Sequence, residues 1–481
     1  MRKLCLCLAA AFLLPLLFAL AGCAEGDAVR SRYEIDAVYD GGVLTAALDF
    51  TYYNDTESSE MTSLRFNLFG NAYREGAVYA PVSPAFRASA YYNGESWGEM
   101  NVLSVTPCAA WEVCGEDENV LRVDLAAGVF PGESAQLRIE YELRLAEVDH
   151  RTGITRGGTV NLGNFYPVLC VYDARDGFYE CVYSSNGDPF YSACADYRVT
   201  LTADADYTVA ASGEEVSSTV SGGRATRVYA LQNARDFAFV LGRSLRVAAG
   251  QVDGVAVSYY YTDDASAEET LALLCESVAY FGHTFGDYPY KTYSAVQTGF
   301  CYGGMEYPGL VLLSDSLTGA DYGYTAVHET AHQWWYAAVG SNQVENAWMD
   351  EGLAEYSSVL FYEAHPAYGL TREGLVSAAR SAYGAYYTVW NQVFGAVDTS
   401  MDRPLGEYGE YEYVAIAYNK GLLLFDTLRD ALGEDRFLRG LRAYYAACAG
   451  RIALPEELAA AWNNGAARGI VLSFVDGTAV L

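Results

Sequence analysis

The sequence has 481 residues, enough for several domains. Hydrophobic residues make up 52% and charged residues 19%, so the chain can build sizeable cores and is not a disordered polyelectrolyte. Against 30 Lys+Arg stand 61 Asp+Glu, a formal charge of −31 that repels phosphate backbones and excludes general nucleic-acid binding.

Residues 1–22 read as an export signal. Arg2 and Lys3 give a short positive segment, and the apolar run Leu4–Leu20 follows. Leu20-Ala21-Gly22-Cys23 places small residues directly before a cysteine, which resembles the lipobox of bacterial lipoproteins. The expectation is cleavage before Cys23, a lipid anchor on Cys23, a tether over 23–32, and an exported body facing outward from the bacterial cell membrane. Removing 1–22 takes away two positive charges and leaves −33. Eight cysteines then remain, at 108, 114, 170, 181, 194, 275, 301 and 448. Export permits disulfides, and Cys108 and Cys114 are close enough in sequence for a small loop. Without any C-x-x-C pair, these cysteines read as buried thiols or structural bridges rather than as metal ligands.

From Tyr33 to about Val247 the pattern is strand-like. Tyr33–Tyr39, Leu137–Leu143 and Tyr197–Ala203 alternate apolar and polar residues, and Asp40-Gly41-Gly42, Asn93-Gly94 and Ser221-Gly222-Gly223 punctuate them. Residues 33–250 are therefore expected to form an all-β sandwich. Over 251–481 the texture becomes α/β and then helical. Strands are expected at Val255–Tyr261, Tyr293–Gln297 and Leu310–Leu313, and helices at Ala265–Tyr280, Tyr324–Ala338, Met349–Glu363, Arg372–Val389, Tyr411–Leu432, Arg436–Ala447 and Pro455–Trp462. Gly469–Leu481 reads as one or two short strands.

The decisive motif is His328-Glu329-Thr330-Ala331-His332. On a helix, positions i and i+4 share a face, so both imidazoles can reach one zinc ion, with Glu329 beside them as a base toward water. With only five histidines in the chain, a chance H-E-x-x-H is improbable. A catalytic zinc needs a third protein ligand and an open position. Glu351, with 18 residues between it and His332, lies on the next expected helix and can supply it. Glu355, one turn further on the same face, could orient a ligand histidine or simply be solvated. The spacing lacks the third histidine of the metzincin pattern.

H-E-x-x-H-x18-E resembles the gluzincin metallopeptidases of the aminopeptidase N and leukotriene A4 hydrolase family. His332-Gln333-Trp334-Trp335 is similar to that family's continuation of the zinc helix. Gly303-Gly304-Met305-Glu306, whose Glu lies 22 residues before His328, resembles its G-x-M-E-N exopeptidase motif, with Tyr307-Pro308 where Asn is usual. Tyr418-Asn419-Lys420-Gly421, 67 residues after Glu351, is similar to its Y-x-K-G element, and Lys420 is one of only three lysines in the chain. In the β domain, segments such as Asn164-Phe165-Tyr166-Pro167, Gly187-Asp188-Pro189-Phe190-Tyr191 and Arg235-Asp236-Phe237-Ala238 look like short bacterial members.

The resemblance implies an N-terminal β-sandwich followed by a thermolysin-like catalytic domain, without the large C-terminal helical domain of longer members. It implies one zinc ion on His328, His332 and Glu351, Glu329 as general base, and Tyr418 (or, less readily, Tyr413) as hydrogen-bond donor to the developing oxyanion. Gly303, Gly304, Met305 and Glu306 are implied as substrate-binding residues. Glu306 would pair with the substrate's α-amine, aided by a second amine-holding residue from the β domain, where the stretch near Thr155–Asn164 gives no clear match. The expected activity is aminopeptidase action on peptides with a free N-terminus. An endopeptidase or tripeptidase on the same zinc chemistry, and a surface binding lipoprotein that has lost activity, are the alternatives.

Overall fold

The computed structural model describes residues 29–479. The expected signal, the expected lipidation site Cys23 and most of the expected tether lie outside the described residues. The first domain is built on a seven-stranded sheet whose central strands obey strict alternation. Along Arg32–Asp40 the buried residues are Tyr33, Ile35, Ala37 and Tyr39, and along Val43–Tyr53 they are Leu44, Ala46, Leu48, Phe50 and Tyr52. Register aligns these positions across the sheet: Ile35 faces Leu48 and Val199, and Leu48 faces Ile139. A one-residue slip would turn this whole row to water, which is why the register is well specified. Truncating Leu48, which is fully buried, would cost about 2–5 kcal/mol. Two four-stranded sheets, one around Met61–Asn67 and Val120–Val129, the other around Thr159–Leu162 and Phe239–Gly242, and a two-stranded ribbon of Tyr172–Asp173 with Gly177–Phe178 complete the β domain.

The second domain opens with a five-stranded sheet. Its strand order is Arg246–Val252, Val255–Tyr261, Thr292–Thr298, Leu310–Ser314, Gly304–Met305. A division at residue 250 would cut its first strand, which pairs along its length with Val255–Tyr261, so sheet pairing assigns Arg246–Val252 to the second domain. Helices Ala267–Phe285, Gly319–Ala331, Trp348–Ala364, Arg372–Phe394, Gly421–Leu432 and Glu434–Cys448 follow. None of the described helices is long and apolar enough to cross a membrane.

Two expectations need correction, and of the two readings left open for the cysteines one is met. Gly465–Val475 is a helix, not a pair of strands. Asn464 caps it by accepting from the Ala466 and Ala467 amides, and Ala467, Val471 and Phe474 form its buried face at helical spacing, which outweighs the strand preference of Ile470, Val471 and Val475. The helix with the two histidines runs from Gly319 to Ala331, five residues earlier than expected. It then opens at Trp335 and Tyr336, where the backbone leaves helical geometry. All eight described cysteines are free thiols. Cys114 ends the strand Ala110–Cys114 and Cys108 lies before its start, so the extended strand separates the two thiols.

Candidate active site

The helix Gly319–Ala331 starts after extended Thr318 and carries Asp321 in its first turn, where the helix dipole favours an acid. Its last turn presents His328 and His332 on one face, and the helix Trp348–Ala364 brings Glu351 against them. All three are buried. The two Nε2 atoms are 3.0 Å apart, and Glu351 Oε2 lies 3.3 Å from His328 Nε2 and 3.4 Å from His332 Nε2. Three donors around tetrahedral zinc at about 2.05 Å should be separated by about 3.3 Å, so this triangle fits the ion. Glu351 Oε2 is buried without a hydrogen-bond donor, whereas Oε1 accepts from Tyr418 Oη at 2.6 Å and Tyr413 Oη at 3.3 Å. One carboxylate oxygen is thus held by two phenols while the other faces the imidazoles.

The outer nitrogens are also engaged. His332 Nδ1 is 3.2 Å from the Trp335 carbonyl, which the break in the helix turns back toward it. His328 Nδ1 is 3.2 Å from Glu355 Oε1, and Glu355 Oε2 accepts from Tyr324 Oη at 2.6 Å. Such partners fix the tautomer that leaves Nε2 free for a metal. Electrostatics agree. Burial alone would pull both imidazoles toward neutrality, but Glu351 and Glu355 hold His328 well above its usual range, and Glu306 and Glu351 hold His332 up at about 10. Burial would raise Glu351, yet the two imidazoles hold it well below the usual carboxylate range. The cluster demands positive charge at its centre, which zinc would supply.

The motif neighbours have mechanical roles. Gln333 accepts from the Gly309 amide and donates to the Tyr307 carbonyl, fixing the loop that follows Glu306. Tyr307 is fully buried and donates to Asn164 in the β domain, which accounts for an aromatic residue in place of the usual Asn. Gly421 packs directly on Gly352, where a Cβ on either would meet the other's backbone. Lys420 Nζ donates to the carbonyls of Thr399 and Phe474. The Y-x-K-G element thereby locks its segment against the Glu351 helix and leaves Tyr418 facing the ligand carboxylate.

Glu329 projects into a cavity of about 960 Å³ together with His328, Gly303, Gly304, Tyr413 and Tyr418. Burial raises its carboxyl to about 7, with the two imidazoles pulling the other way, and its Oε2 has no hydrogen-bond partner. A Cβ at Gly304 would overlap the Glu329 carboxylate, so only glycine permits this approach. Tyr418 stacks on His328 and here donates to Glu351, so the oxyanion role expected for it is not the hydrogen bond seen.

The remaining residues of the substrate motif divide. Met305 is buried in the core and does not line the cavity, so only its backbone can meet a substrate. Glu306 is 3% exposed, and its carboxylate lies within 4.8 Å of donor atoms of His332 and Asp350. Gln343 Nε2 joins the two acids, at 3.3 Å from Glu306 Oε1 and 2.5 Å from Asp350 Oδ2. Burial pushes both carboxyls up to about 8. The stretch Thr155–Asn164 supplies no acid. Instead Asp188, from the Gly187-Asp188-Pro189 segment, lines the cavity from the β-domain side, 2.6 Å from Arg151 Nη2.

Comparison with known proteins identifies the architecture. Residues 270–477 match the peptidase family M1 domain. This part of the chain is similar to that family's catalytic domain. Aminopeptidase 2 of Candida albicans is 23% identical over 324 residues, covering 56% of this chain and 33% of that protein. Aminopeptidase M1-A of Oryza sativa subsp. japonica is 25% identical over 346 residues, covering 61% of this chain and 37% of that protein. The chain thus spans about a third of the length of these curated relatives. Among solved structures, a mutant of an M1 zinc metallopeptidase from Deinococcus radiodurans superposes with a TM-score of 0.65 at 19% identity, over 94% of both chains. The M1 fold therefore extends through the β domain as well.

Proposed function

We propose that this protein is a zinc aminopeptidase that removes the N-terminal residue of peptides and is tethered outside the bacterial cytoplasm by a lipid on Cys23. The observation that carries the exopeptidase reading is Glu306. It is a buried carboxylate directly after the edge strand Gly304–Met305, near His332 and bonded to Gln343, and it follows the cavity-lining Gly304 closely in the chain, from where it would meet an α-amine that reaches past Gly304. Asp188 offers a second carboxylate from the β domain, which would answer the need for a further amine-holding residue. Among the described residues Arg151 is the only Lys or Arg lining the cavity, and it is paired with Asp188. No free cation there can grip a C-terminal carboxylate, which argues against a tripeptidase and for peptides of open length. The M1 metallopeptidase of Deinococcus radiodurans has been observed with a Tyr-Ser-Ala substrate, in keeping with peptide substrates here. The tether reading is supported by the Leu20–Cys23 motif alone.

When bound by His328, His332 and Glu351, zinc supplies a Lewis acid that polarises the scissile carbonyl and makes water acidic. Glu306 holds the substrate amine so that the first peptide bond lies beside Glu329. Glu329 takes a proton from the attacking water and passes it to the leaving nitrogen. The Tyr418 phenol, released from Glu351 Oε1, donates to the carbonyl oxygen as it gains charge.

A panel of aminoacyl fluorogenic amides and N-acetylated counterparts tests this reading. Glu329→Gln should retain zinc and lose turnover, and Glu306→Ala should lose the preference for a free amine. Hydrolysis of blocked and free substrates at equal rates by the wild type would overturn the aminopeptidase assignment. Labelling with palmitate in the host, abolished by Cys23→Ala, tests the anchor.

A further inference from the structure

The strand Gly304–Met305 is the last in its sheet and pairs only with Leu310–Ser314, so its outer edge borders the cavity. An extended peptide can add to such an edge. With its amine toward Glu306, as the aminopeptidase reading requires, a peptide added to this edge would run past Gly304 and the Glu329 carboxylate, then along Gly303 toward Tyr302. What lies beyond Gly303 therefore meets the residues that follow the scissile bond.

That part of the cavity is apolar and partly aromatic. Phe86, from the β domain, meets Tyr302 edge to face at 5.2 Å, and the Tyr302 hydroxyl is fixed between the Ser83 amide and the Ser185 carbonyl. Another wall comes from the helix Arg372–Phe394, which presents Ala382, Ala385, Tyr386, Val389 and Trp390 to the cavity. Their spacing places them on one face. The stripe continues outward from the cavity: Val389 is 50% exposed, Val393 65% and neighbouring Phe394 68%. The charged lining has no cation to spare, since Arg151 is paired with Asp188, and Glu355 and Glu410 add negative charge.

We propose that this wall is a subsite for the substrate's second residue, that it takes large apolar or aromatic side chains, and that it rejects Asp and Glu. Apolar contact area supplies the attraction. Carboxylates with no free cation beside them, facing a second acid, supply the rejection. The exposed continuation over Val393 and Phe394 gives the third residue an apolar surface as well.

The test uses the zinc-loaded full chain and peptides Ala-Xaa-Ala-Ala with Xaa = Phe, Leu, Gly, Lys or Asp, following released alanine. kcat/KM should be about tenfold higher for Phe than for Gly, and at least that much lower for Asp than for Phe. Two variants locate the effect: Phe86→Ala should shrink the Phe/Gly ratio, and Val389→Lys, at a half-exposed position, should raise the Asp/Phe ratio. Equal rates across Xaa, or ratios unmoved by both variants, would overturn the proposal. A fluorogenic alanyl amide separates the two levels. If it is cleaved while the peptide series is flat, only the subsite assignment fails. If neither it nor any peptide is cleaved, the aminopeptidase reading fails and the subsite falls with it.

Discussion

Glu355 was only one candidate among surface carboxylates in the sequence, yet the structure sets it 3.2 Å from His328 Nδ1, with side-chain exposures of 8% for His328 and 15% for Glu355. A close, largely buried contact between an imidazole and a carboxylate in such a setting is worth about 1.5–3 kcal/mol. Partners of this kind change metal affinity by about 10–100-fold, the same range expressed as an equilibrium. Glu355→Ala removes the acceptor and strands the Tyr324 hydroxyl, so zinc should bind about 30-fold more weakly, a change of about 2 kcal/mol. Glu355→Gln keeps the shape and one acceptor oxygen but loses the charge, and should cost about 1 kcal/mol, roughly fivefold. Zinc affinity is measured by competition against a chelating fluorophore, with circular dichroism to confirm the fold. Wild-type affinity in Glu355→Ala would show that Glu355 does not orient His328.

Three further outcomes are expected. Gln343→Leu removes the amide that joins Glu306 to Asp350. Steady-state kinetics on free-amine substrates should show KM rising more than kcat falls, with kcat/KM lower by about tenfold. Gly304→Ala drives a methyl into the Glu329 carboxylate and should lower kcat by about 100-fold, with zinc content and unfolding temperature close to wild type. Burial holds the Lys420 ammonium down at about 8 against 10.5 for the free group. The folded state sheds this proton before the unfolded chain does, so the cost of burying the charge is complete below about 8 and fades as pH rises toward 10.5. Urea unfolding from pH 7 to 10 should therefore show wild type gaining stability relative to Lys420→Met. A constant difference would refute the burial argument.

What the sequence made legible was whatever local geometry fixes. The i, i+4 pair His328 and His332 needs nothing beyond a helix, and Glu351 needs only a second helix packed against the first. The alternation of Tyr33–Tyr39 was enough to specify a half-buried strand. Residues that meet through tertiary structure were opaque. Asp188 reaches the cavity from the β domain, and Gln343 bridges Glu306 and Asp350 across a loop. Neither carries a spacing signal. Gly465–Val475 shows a local cue outvoted: three β-branched residues suggested strands, while the Asn464 cap and the spacing of Ala467, Val471 and Phe474 pointed to the helix that forms. Tyr307 stood out as a departure from a pattern, and its reason, a hydrogen bond to Asn164, lies in the other domain.

That bond is one stitch in a longer seam. Met305, Tyr307, Leu310, Leu312, Tyr336 and Ala337 from the second domain share one continuous hydrophobic core with the β domain. Across the same seam Arg235 is buried, donating to the Ser192 carbonyl on its own side and to the Arg451 carbonyl on the other. Domains that rock against each other meet through modest, polar interfaces. Here a shared apolar core and the buried Arg235 span the seam, which resists hinge motion between the two halves. The cavity's outer rim is where the helix Arg372–Phe394 and Tyr411 border solvent. The catalytic half expressed alone would lack Asp188 and Phe86 and would expose the core face that the β domain covers.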